Sequence, residues 1–157
     1  MKKILFLAMI LGVAFASCKK DPVIDPEPEP EPVVTATFSL SAETVSGSGS
    51  ATDNEIITAV SFTNNSTIDG ASEYVWEIDD TTLPTGWQAS ICDNVQCWSP
   101  DRTDNTISVN KDDSFDLKVH FYPNNIDGSG TVNVKVYATS DSAGTAKTIV
   151  YTASTGK

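Results

Sequence analysis

Histidine occurs once in this chain, at position 120, and cysteine only three times, at 18, 92 and 97. One imidazole excludes chemistry that needs several, such as a blue-copper set of two histidines and a cysteine. No G-x-S-x-G elbow offers a nucleophile for His120 to activate. Basic residues are also scarce: 10 Lys and Arg face 21 Asp and Glu, for a net charge of −11. Nucleic acid is therefore excluded as a partner, since phosphate recognition requires basic patches. Long apolar runs are missing, except for Ile4 to Phe15, which is too short to span about 30 Å of hydrocarbon as a permanent helix. Beyond that run no window sustains a 3.6-residue apolar period. These absences predict no catalytic residues, no cofactor, no metal and no enzyme activity.

What is present begins with Lys2 and Lys3, the apolar run and the small residues Ala16 and Ser17 before Cys18, the three-part layout of a secretory signal over residues 1–17. Phe15-Ala16-Ser17-Cys18 resembles the lipobox of bacterial lipoproteins, with Phe15 where leucine is usual. The resemblance implies lipid on Cys18, and hence a partner membrane held through the lipid at about 0.8 kcal/mol per buried CH₂. Lipidation would also resolve the odd cysteine count. Cys92 and Cys97 then remain as a pair, and an exported protein meets an oxidising compartment where a disulfide persists.

Residues 18–33 join Cys18 to KKDPVIDPEPEPEPV. Alternating Pro and Glu fixes φ and sets like charges along the chain. The pattern predicts an extended acidic tether of about 45 Å at roughly 3.1 Å per residue.

From residue 34 to 157 the composition turns to Thr, Ser, Val, Ile and aromatics. Ser114–Tyr122 alternates Phe115, Leu117, Val119 and Phe121 with polar residues, and Thr131–Thr139 alternates Val132, Val134, Val136 and Ala138 likewise. Period-two patterning predicts half-buried strands. Weaker strands are expected at Val34–Leu40, Glu55–Thr63, Glu73–Ile78, Trp87–Cys92, Thr106–Val109 and Ala146–Ala153. Turn signals lie at Ser46–Ser50 (SGSGS), Asp69-Gly70, Leu83–Gly86 and Asp127–Gly130, the last expected to form a hairpin-type connection between the two best strands. The spacing predicts one all-β domain, an immunoglobulin-like antiparallel β-sandwich of about seven to eight strands.

The stretch Leu83-Pro84-Thr85-Gly86-Trp87 through Cys92-Asp93-Asn94-Val95-Gln96-Cys97-Trp98, followed by Phe121-Tyr122-Pro123 and Gly128-Ser129-Gly130, resembles immunoglobulin-like modules in exported proteins of Bacteroidota. That resemblance implies a fold and a cell-envelope setting, with the outer membrane as the expected location, and no activity. Lys19 and Lys20 precede Asp21, which leaves the membrane face open.

The Cys92–Cys97 loop is short, and the chain-entropy model credits it with about 2 kcal/mol. A metal or redox dithiol finds no support in C-x₄-C spacing without a neighbouring histidine. His120 falls on the polar phase of its strand and is expected at the surface. Acidic clusters at Asp79-Asp80, Asp101/Asp104 and Asp112-Asp113, and the Asn124-Asn125/Asp127 loop, could offer oxygens to calcium, but no calcium-loop motif frames them. Turn formation accounts for them. Trp76 is in phase with Tyr74 and Ile78 and is expected in the core; Trp87 is expected beneath the disulfide loop. Trp98 is the best exposed indole, so Trp98 and Trp87 are the candidate ligand-binding residues. Asp80-Thr81-Thr82 and Asp141-Ser142-Ala143 are similar to the D-[ST]-x acceptor pattern for O-glycosylation.

Two functions follow. One is a non-enzymatic, lipid-anchored envelope module acting by protein interaction or as a structural accessory; the alternative is a surface glycan-binding lipoprotein. Mass spectrometry of the mature N-terminus is expected to find lipid on Cys18. An unmodified end, or cleavage elsewhere, would overturn the anchor.

Overall fold

The computed structural model describes residues 36–156. The signal, Cys18 and the tether lie outside these residues. Among the described residues nine strands form two sheets: β1 (Phe38–Leu40), β2 (Thr44–Gly49), β3 (Ile56–Asn64), β4 (Ala71–Thr82), β5 (Gln88–Cys92), β6 (Asp104–Asn110), β7 (Ser114–Tyr122), β8 (Ser129–Ala138) and β9 (Lys147–Thr155). One sheet has four strands in the order β1-β3-β7-β5, the other five in the order β2-β9-β8-β4-β6. The architecture is an immunoglobulin-like all-β sandwich.

The alternating residues of β7 and β8 point inward from opposite sheets: Leu117, Val119 and Phe121 from one, Val132, Val134, Val136 and Ala138 from the other, all buried. Trp76 and Tyr74 of β4 are fully buried between them. Phe62 stacks on Phe38 at 4.9 Å and meets Tyr74 edge-on at 4.9 Å. Such aromatic pairs contribute about 0.5–1.5 kcal/mol beyond area burial. Tyr151 of β9 donates to the Leu117 carbonyl of the facing sheet at 2.9 Å, so its buried hydroxyl is satisfied. Burial pushes the Tyr151 hydroxyl above the usual phenol range.

Two sequence expectations are corrected. Asp127–Gly130 makes no hairpin: β7 belongs to the four-stranded sheet and β8 to the five-stranded one. The chain crosses the sandwich here, turning at Asn124 and Asn125, whose φ values of 52° and 63° are left-handed. Alternation assigns an inward face to each strand but does not say from which sheet it faces in. In fact β8 to β9 is the one connection between consecutive strands that stays within a sheet.

Second, most of SGSGS is not a turn but part of β2, which pairs in parallel with β9 from Thr44↔Val150 to Gly49↔Thr155. Glycine is needed at 47 because the β3 side chains press against it: a Cβ there would come within 2.9 Å of Thr58 Cγ2 and 3.0 Å of Ile56 Cγ2. Glycine within a strand often marks such a close approach. Gly47→Ala is expected to destabilise the domain by about 1–3 kcal/mol through overpacking, measured by urea unfolding. Gly156→Ala, where a Cβ meets nothing within 4 Å, serves as the near-neutral control.

Candidate functional site

The chain leaves β5 at Cys92 and crosses to the five-stranded sheet, where it resumes as β6. The corner is tight. Cys92 and Cys97 form a disulfide and an isolated antiparallel bridge. Asp93 N–H donates to the Gln96 carbonyl at 3.0 Å, and Trp98 N–H to the Ile91 carbonyl at 2.8 Å.

Asp93 is the hub of this corner. Its Oδ1 accepts the backbone N–H groups of Val95 at 2.9 Å and Gln96 at 3.2 Å, a local Asx-type closure. Its Oδ2 accepts Trp76 Nε1 at 2.9 Å, Trp98 Nε1 at 2.7 Å and Asn105 Nδ2 at 3.0 Å. Trp76 lies on β4 and Asn105 on β6, so this carboxylate ties the end of one sheet to the other. Asn94 adds a further tie, donating to the Ser108 carbonyl of β6 at 2.9 Å. Burial alone would raise the Asp93 pKa, but hydrogen bonds from Trp76, Trp98, Val95 and Asn105 together outweigh it and hold the carboxyl below its ordinary value.

Trp98 is half-buried against the core rather than exposed, because its N–H is bound to Asp93 and the Arg102 guanidinium lies over its ring at 5.0 Å. Trp87 is buried too, but not beneath the disulfide. Its Nε1 donates to the Ile126 carbonyl at 2.9 Å, in the connection between β7 and β8. The indoles joined to the disulfide loop are Trp76 and Trp98, both through Asp93. Trp87 also lines a depression of about 580 Å³ with Ile78, Leu83, Gln88, Pro100 and Asp101.

His120 is the larger surprise. Its strand phase does point it to the outer face of the four-stranded sheet, where Ile57 of β3 and Ser90 of β5 are its register partners. Yet the side chain is only 13% exposed. Nδ1 lies 2.7 Å from Glu55 Oε2, and Nε2 is buried with no hydrogen-bond partner among the described residues. A ring nitrogen and the sulfurs of Cys92 and Cys97 all lie within 4.8 Å of one another, the one grouping of three metal-ligating side chains among the described residues. The histidine missing from the sequence neighbourhood of the cysteines is thus supplied by β7, through pairing with β5.

Around this cluster lies a depression of about 320 Å³, lined by Ile57, Val95, Gln96, Asp116 and Lys118 together with the disulfide, Asp93 and His120. Ile57 and Val95, 49% and 67% exposed, are the large apolar side chains left exposed among the described residues. Both border this one depression. Sequence reasoning passed over Asp93, Glu55, Ile57 and Val95. A signal existed for Asp93, a carboxylate enclosed by the two cysteines and followed by a tryptophan.

No protein-family model and no curated protein matches the chain. Solved structures do match. One is the N-terminal domain of PorA, with a TM-score of 0.53 and 14% identity over 77% of this chain and 97% of that one. Another is the CooA pilin subunit from enterotoxigenic Escherichia coli, with a TM-score of 0.52 and 15% identity over 77% of this chain and 99% of that one. At these identities the likeness is one of fold.

Asp93→Ala is expected to lower the unfolding free energy by about 3 kcal/mol, since covered indole N–H groups lose their acceptor. The carboxylate titrates lower in the folded chain than in the unfolded one, where it is near 3.9. Its contribution is therefore complete above about pH 5 and is lost as pH falls through the folded value. The melting-temperature difference between the parent and Asp93→Asn should be flat at neutral pH and shrink in acid. A difference that persists unchanged at pH 2 would remove the charge from this account.

Proposed function

We propose that this chain is a non-enzymatic accessory module of the bacterial cell envelope, held to a membrane by lipid on Cys18 and acting by contact with another protein. The observation that carries the contact reading is the pairing of Ile57 and Val95 at one depression, when nearly every other large apolar side chain among the described residues is covered. An apolar pair rimmed by Asp116, Lys118 and Gln96 has the make-up of a small interaction site, with a dry centre and a polar edge. The partner it fits presents an apolar side chain with basic residues around it, because the chain carries a net charge of −11 and complementary charge speeds encounter. The Pro-Glu tether of residues 18–33 supplies reach from the lipid. The cell envelope, at its outer membrane, is the location that the signal and the disulfide support.

Glycan binding remains as a second reading because the larger depression sets Trp87 beside Gln88, Thr81, Asp101 and Thr103, an indole among hydrogen-bonding groups. Against it, the faces of both candidate indoles are largely taken up: Trp87 is 5% exposed and Trp98 carries Arg102.

Cross-linking and pull-down from native membranes would compare the parent with Ile57→Glu/Val95→Glu. These surface changes should alter stability by no more than about 0.5 kcal/mol each. A captured protein that is lost in the double variant is the expected result; equal capture by both would count against this face. Retention on a glycan array that is abolished by Gln88→Ala/Asp101→Ala would favour the second reading.

A further inference from the structure

We propose that reduction of the Cys92–Cys97 disulfide turns the corner into a zinc site, with the two thiolates and the His120 imidazole as ligands. Three observations converge on it. Both sulfurs and a ring nitrogen of His120 already lie within 4.8 Å of one another. His120 Nε2 is buried and unpartnered, although buried polar atoms are nearly always satisfied. Nδ1 is held by the Glu55 carboxylate at 2.7 Å, the outer-shell arrangement that fixes a histidine tautomer and presents its other nitrogen to a metal.

Two thiolates and an imidazole suit zinc. Zn–S bonds of about 2.3 Å in a tetrahedral site place the sulfurs about 3.8 Å apart, a separation they can reach once the bond between them is cut. Cys97 is exposed and open to attack, while Cys92 is buried at the end of β5. Three protein ligands leave a fourth position for water, and all three line the same depression as Ile57 and Val95. Two thiolates neutralise the charge of the ion.

The reductant is a dithiol of the envelope. Its thiolate attacks Cys97 Sγ, the Cys92–Cys97 bond breaks, and Cys92 leaves as a thiolate. The second thiol of the reductant then displaces Cys97 from the mixed disulfide. The reductant is oxidised to its disulfide, two electrons and two protons pass to the pair, and both cysteines end as thiols. Zinc binding releases those two protons to solvent, and no further electron moves. The site borders the surface assigned above to a protein partner, but metal uptake needs no partner, so either can fail alone.

The test uses the full chain carrying Cys18→Ser, so that no third thiol competes. A water-soluble phosphine reduces the disulfide, becoming a phosphine oxide with oxygen from water, and Co²⁺ is added as a spectroscopic probe. The reduced chain is expected to take up one equivalent, with thiolate-to-cobalt absorption that zinc abolishes by displacement; the oxidised chain should show none. Cys92→Ser/Cys97→Ser should abolish the signal. His120→Ala should weaken zinc binding at least tenfold and Glu55→Gln about tenfold, while both variants retain the disulfide and the parental circular dichroism when oxidised. No cobalt signal in the reduced chain, or equal affinity in His120→Ala, would overturn the proposal. Melting in parallel covers loss of structure: a reduced chain that refolds on zinc supports it, and one that stays unfolded with zinc refutes it.

Discussion

Five hydrogen-bond donors converge on the Asp93 carboxylate at the corner where the chain passes from β5 to β6, and two of them, Trp76 and Asn105, come from the facing sheet. The disulfide beside it cannot do this work, because Cys92 and Cys97 close a loop within the corner and reach no other strand. The covalent bond pins the turn; the carboxylate ties that turn to β4 and β6. Among the described residues no cation forms an ion pair with the carboxylate. Its charge is met by N–H dipoles, with Arg102 one step away on Asn105 and over the Trp98 ring. A carboxylate with several such donors stays ionised despite desolvation, and each bond is then charge-assisted and stronger than a neutral one.

The position of the corner has consequences for the face beside it. Held in place by Asp93, the Cys92–Cys97 segment borders the outer surface of the four-stranded sheet, where it covers part of His120 and sets Val95 near Ile57. A polar-phase histidine, ordinarily solvated, thereby loses access at Nε2 while Glu55 holds Nδ1. An apolar rim and a shielded imidazole thus meet at a site where the regular strand pattern alone would leave a plain polar face.

The strands were largely legible, and the reason is local. Inward residues recur at every second position whatever the topology, so β7 is readable to the residue and β3, β4, β5, β6 and β9 to within a few positions. The exception is β2. Its pattern TVSGSG has no apolar face because close approach by Thr58 and Ile56 excludes side chains at Gly47. Trp76 was readable as core from its phase with Tyr74. Trp98 was not, since its burial depends on an acceptor and a cation that the corner brings to it.

Taken alone, the amino-acid sequence determined the all-β class, the inward face of each well-patterned strand and the acidic, Pro-rich character of residues 18–33. These properties rest on period and composition, whereas the pairing of Cys92 with Cys97 followed from the sequence only on the expectation that Cys18 carries lipid. Only the tertiary structure decided that β7 and β8 lie in different sheets, that Asp93 links those sheets, and that His120 and Glu55 sit with the disulfide. The physical reason is the topology: up to β8 every connection crosses the sandwich, so the neighbours that define the site come from β3, β5 and β7. Strand pairing sets which residues meet there, and separation along the chain carries no record of it.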